Sequence, residues 1–127
     1  MKQILKFLFL TTLSFTLYGN TYDIPKATII IKKESIDVGV LKEGTSTKVT
    51  FEIKNISKKP VKIFSVTSTC GCTVVEYPKV IEPNQQIVIS ATFNSKGFVG
   101  PVKKELVMIT NDSVHYYKME LLAKVIK

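Results

Sequence analysis

Successive stretches of this chain alternate apolar and polar residues with a period of two, and that pattern limits the fold more than any other feature. Over residues 47–55, Val49, Phe51 and Ile53 fall on one side of an extended backbone and Lys48, Thr50, Glu52 and Lys54 on the other. Ile87, Ile89, Ala91 and Phe93 alternate with Val88, Ser90 and Thr92 in the same way. Tyr117, Met119, Leu121, Ala123 and Val125 alternate with Lys118, Glu120, Leu122 and Lys124. Side chains two apart share a face in a strand, so each run predicts a strand with one face on a core and the other in solvent.

Further strands are expected over residues 27–31, a β-branched run just after Pro25, and over 35–40, 61–66 and 102–110. In the last of these Leu106-Val107-Met108-Ile109 is apolar on both sides, which predicts a central strand. From Phe64 onward the even positions Phe64, Val66, Ser68, Cys70, Cys72 and Val74 share a face if the chain stays extended. Turns are expected at Lys42-Glu43-Gly44, where glycine accepts a positive φ, at residues 55–60, at Ile81-Glu82-Pro83-Asn84, at 94–101 and at Asn111-Asp112-Ser113. No segment beyond the leader sustains a helical period. The result is an all-β chain: an antiparallel β-sandwich of seven to eight strands, forming one domain over residues 27–127. The 127 residues suffice for one hydrophobic core.

Residues 1–19 read differently. Lys2 and Lys6 precede an apolar run through Leu17 that gives way to Tyr18-Gly19-Asn20, the pattern of a secretory signal peptide helix. Cleavage is expected after Gly19, with Leu17 an atypical residue at the third position before the cut. The run is shorter than the roughly 20 residues of a spanning helix, so no membrane segment is expected in the mature chain. No cysteine follows it to carry a lipid anchor. The protein is expected to be exported, to the periplasm or beyond the cell.

The net charge is +8, from 18 basic residues, all lysine, against 10 acidic ones. Without arginine the chain lacks the fork that reads phosphates and base edges in pairs, and its lysines scatter along the strands, so a solvated face is expected and nucleic acid is not.

Both cysteines lie in Thr69-Cys70-Gly71-Cys72-Thr73. In an extended chain residues i and i+2 are roughly 6.6 Å apart at Cα, near the upper limit for a disulfide, and Gly71 permits the kink that shortens it. Such a bridge closes an almost empty loop and stabilises little. Cys70 and Cys72 are therefore a candidate thiol or disulfide site with three readings: structural or incidental cysteines, a dithiol that exchanges with other disulfides, or two thiolates holding a soft ion such as Cu(I) or Zn(II). Zinc needs two more ligands, for which the chain offers His115 and scattered carboxylates, whereas Cu(I) needs fewer, with Met108 or Met119 to assist. No hydrolase motif is present, Glu82 and Glu105 are isolated, and no cofactor is expected. Asn55-Ile56-Ser57 and Asn111-Asp112-Ser113 fit a glycosylation sequon, but both have turn roles.

Several of these segments together carry a family resemblance. Ile36-Asp37-Val38-Gly39, Glu43-Gly44, Phe51-Glu52-Ile53-Lys54-Asn55, Cys70-Gly71-Cys72-Thr73, Ile81-Glu82-Pro83-Asn84, and Gly100 ahead of Thr110-Asn111 resemble the DUF1573 family over residues 29–125. That is a group of mostly exported bacterial proteins, common in Bacteroidetes, without an established activity. Ile36 stands where the family has Phe, and Asn84 where it has Gly. The resemblance implies an immunoglobulin-like sandwich similar to major sperm protein and ASH-type domains, which are chiefly protein-interaction modules. The expectation is thus a non-enzymatic module that binds another cell-envelope protein through a sheet face or edge strand, with the thiol site as the alternative.

Overall fold

The computed structural model describes residues 18–22, 26–69 and 73–127, with all their side chains except that of Val74. The expected signal peptide, apart from its last two positions, and Cys70-Gly71-Cys72 lie outside the described residues.

Among the described residues there are nine strands: β1 (Ile29–Ile31), β2 (Ser35–Lys42), β3 (Ser46–Asn55), β4 (Val61–Ser68), β5 (Thr73–Glu76), β6 (Val80–Ile81), β7 (Gln86–Asn94), β8 (Gly100–Thr110) and β9 (Tyr116–Ile126). They form two sheets, ordered β1-β3-β7-β5 and β2-β9-β8-β4-β6. The excess over seven to eight comes from two-residue β6 and from β5, which lies in the other sheet from β4 and does not continue it. β8, doubly apolar in its middle, is the third of five strands as expected.

The alternations build the core. Phe51, Ile53, Ile89 and Phe93 of the first sheet are all at most 1% exposed, as are Leu106, Met108, Met119 and Leu121 of the second. Each such burial stabilises by about 1.5–3 kcal/mol relative to exposure. The turns use the backbone their residues favour: Asn84 has φ +61° and Gly44 φ +81°.

Two expectations are corrected. Pairing is antiparallel except that β2 runs parallel to β9. Three residues separate β1 from β2, and the two strands lie in different sheets, so β2 does not pair with β1 but lies at the edge beside β9. Second, Phe64 and Val66 do not share a face. Ile63 pairs with Thr110 but Ser65 with Ile109, so a bulge places one extra residue in β4 and resets its parity. Ile63 and Val66 point into the core, whereas Phe64 is 63% exposed.

Candidate functional site

The sandwich has two ends. At one, Asn111 to His115 turn β8 into β9, and Asp112 is the centre of that turn. Its carboxylate accepts from Thr28 Oγ1 at 2.6 Å, Thr110 Oγ1 at 2.9 Å, the His115 amide at 3.0 Å and the Tyr117 hydroxyl. Burial opposes ionisation of Asp112, but these donors outweigh it and hold the carboxyl below its ordinary value. Burial and the adjacent carboxylate push the Tyr117 phenol up to about 12. Close by, fully buried Asn55 donates to the carbonyls of Lys59 at 2.8 Å and Ile81 at 2.9 Å, and accepts from Ser57. With both amide hydrogens engaged, Asn55 of the first sequon is a structural tie in the folded chain. A cleft between Lys58-Lys59-Pro60 and Asn111 to Ser113 opens at this end, but Asp112 in its lining is saturated by the turn.

The other end is where the chain carrying the cysteines passes from β4 to β5. Thr69 donates its amide to the Glu105 carbonyl at 3.0 Å, and Thr73 is registered with Phe93. The next residue along β8 is Lys104, which shares the inward parity of Leu106 and Met108 and is only 9% exposed. It is not the solvated lysine expected from composition. Its ammonium lies 4.2 Å from the Phe98 ring centroid and 6.0 Å from that of Phe93, and these two rings are 5.5 Å apart. No carboxylate pairs with it among the described residues. Beside the same Phe93, the Thr73 hydroxyl is buried without a hydrogen-bond partner among the described residues. The signal for Lys104 was available in its parity with Leu106; the environment of Thr73 had none.

The structure does not gather the other proposed ligands. His115 belongs to the Asp112 turn, while Thr69 meets β8 at Glu105, about 17 Å along the strand from Thr110. Met108 and Met119 are fully buried in the core. Glu105 is occupied by Lys103 at 3.8 Å, and Lys103 also pairs with Glu120 at 2.7 Å. Among the described residues no cluster of three metal-ligating side chains occurs, and no helix is long and apolar enough to cross a membrane.

A third feature is the outer face of the five-stranded sheet. At the bulge Phe64 lies outward beside Ser65, Ser65 is registered with Ile109, and Ile109 with Tyr116. Phe64 and Tyr116 are 63% and 55% exposed, with half-buried Ile109 between them. In the next row lie Thr67, Val107 and Lys118.

Residues 29–125 match a family model described as a protein of unknown function, DUF1573. No curated protein matches the chain. A protein of unknown function from Porphyromonas gingivalis is similar in structure, with TM-score 0.67 and 19% identity over 76% of this chain, which spans only 46% of that one. An ASH/PapD-like domain of human CEP192 gives TM-score 0.67 and 16% identity, covering 82% of this chain and 89% of that domain. The YadV chaperone gives TM-score 0.60 and 10% identity, covering 80% and 53%. At these identities the likeness is one of fold: an immunoglobulin-like sandwich of the PapD type.

Proposed function

The chain belongs to the DUF1573 family, and on that premise we propose that it is an exported, non-catalytic module of the cell envelope that binds another protein. The observation that carries this reading is the row Phe64–Ile109–Tyr116, which leaves two aromatic rings in solvent on one sheet face. The basic and apolar leader supports export, and a chaperone among the structural neighbours accords with protein binding. Fractionation with intact-mass measurement is expected to find the chain outside the cytoplasm, starting after Gly19 and held in a complex that survives Cys70→Ser/Cys72→Ser. A full-length cytoplasmic chain, or loss of the complex in the double variant, overturns the reading.

A second reading is supported by Lys104. The cysteines follow Thr69 in the sequence, and the Thr69 amide is tied to Glu105 next to Lys104. A shielded ammonium without a carboxylate favours a thiolate in its neighbourhood. One cysteine then attacks a partner's disulfide and releases one partner thiolate; the other resolves the mixed disulfide, so the partner leaves as a dithiol and Cys70–Cys72 as the bridge. The thiolate absorbance of the reduced protein is expected to titrate at higher pH in Lys104→Met. An unchanged titration removes this reading.

A further inference from the structure

We infer that the Phe64–Ile109–Tyr116 face docks an acidic, apolar segment of another protein; this rests on the interaction-module reading and names the chemistry of the partner. The apolar row runs across β4, β8 and β9, three adjacent strands, so its side chains form one contiguous surface. Its rim is cationic. Lys62 precedes Phe64 on the outward side of β4, and Lys118 is registered with Val107 one row away. Both are exposed, and neither is in an ion pair among the described residues. The acids of the same face, Glu105 and Glu120, are both held by Lys103 further along the strands. The row therefore meets its partner with uncompensated positive charge around an apolar centre, which complements carboxylates flanking apolar anchors.

Two other occupants fit less well. A second copy packed about a two-fold axis sets the same lysine-rimmed patch against itself, with like charges opposed. An anionic membrane supplies the charge, but Phe64, Ile109 and Tyr116 stand in paired strands and not on a loop that enters the headgroup layer.

The test places a photo-crosslinking phenylalanine analogue at position 64 or 116 of the full chain in its native cells, with position 88 on the outer face of the other sheet as control. Val88 is also exposed, so it reports non-specific encounters. The expected result is a discrete adduct from 64 and 116 but not from 88, in which the captured peptide is net acidic with apolar residues. Lys62→Glu/Lys118→Glu is expected to reduce the adduct about tenfold, since surface charges of this kind govern encounter. All these positions are exposed, so the melting temperature reports that the variants remain folded. A captured peptide that is basic or from the chain itself, a lipid adduct, no adduct, or indifference to the charge reversal overturns the inference. If 88 yields a specific partner while 64 and 116 do not, this face is refuted and the module reading stands; silence at every position, with no complex on fractionation, removes both.

Discussion

Asp112 shows how one side chain can organise a turn that the residues around it only permit. Its four donors come from the segment before β1, the end of β8, the turn itself and the start of β9. Asp112→Asn keeps the shape but loses the charge those donors favour, and a cost of about 1–3 kcal/mol in denaturant unfolding is expected. The carboxyl is depressed in the fold, so its contribution is present above the unfolded value near pH 4 and fades as the pH falls further. Tyr117 is raised to about 12, so its contribution is present below pH ~10 and is lost as the pH climbs from there through 12. Melting curves of Tyr117→Phe against pH should lack the part of the alkaline decline that wild type shows; identical declines refute the assignment. At the other end, the buried Thr73 hydroxyl has no partner among the described residues, so Thr73→Val is expected to gain about 1 kcal/mol. A loss of stability in that variant means the hydroxyl is used.

At the scale of elements, irregularities in the strands decide what the faces present. β2 pairs with β9 through Asp37 opposite Leu122 and Val40 opposite Lys124, so one extra residue is bulged out. Gly39 sits there with φ +76°, its amide donating to Asp37 Oδ1 at 2.8 Å. A Cβ at this position meets nothing within 4 Å, so the cost of substitution is conformational alone. Gly39→Val is expected to lose about 1–2 kcal/mol, measured by chemical denaturation. No change means that the bulge relaxes to a negative φ. The bulge in β4 has a different consequence: Phe64 follows inward Ile63 by ordinary alternation and lies outside with Ile109 and Tyr116, and the extra residue lets Val66 turn inward as well.

At the scale of the molecule, charge is unbalanced: 18 lysines face 10 acids, a net +8, and the proposed cleavage after Gly19 takes away Lys2 and Lys6 to leave +6. The lysines repel one another across a small surface, and salt screens that repulsion over about 10 Å at 0.1 M. The mature chain is expected to melt higher at 0.2 M than at 0.02 M sodium chloride. A fall in melting temperature implies that the ion pairs, such as Lys103–Glu120, matter more than the excess charge. Screening should at the same time weaken the proposed acidic partner's attachment, so stability and binding are expected to respond to salt with opposite sign.

Period-two alternation is a local property, and it was enough to assign β3, β7 and β9 and the inward faces of Val49, Phe51, Ile53, Ile89 and Met119. Turn chemistry was equally legible, as at Asn84 and Gly44, because the left-handed region is a matter of a residue's own sterics. Parity also contained the burial of Lys104, although its charge argued for solvent. Other features depend on partners far away along the chain. The bulge at Ile63 to Ser65 exists only against Thr110 and Ile109, and the role of Asp112 only with Thr28, 84 residues earlier, beside it. The exposed aromatic row likewise needs β4, β8 and β9 side by side. Spacing along the chain encodes which way a side chain points. Tertiary structure decides what it meets there, because register between strands and the packing of two sheets are set by the whole core together.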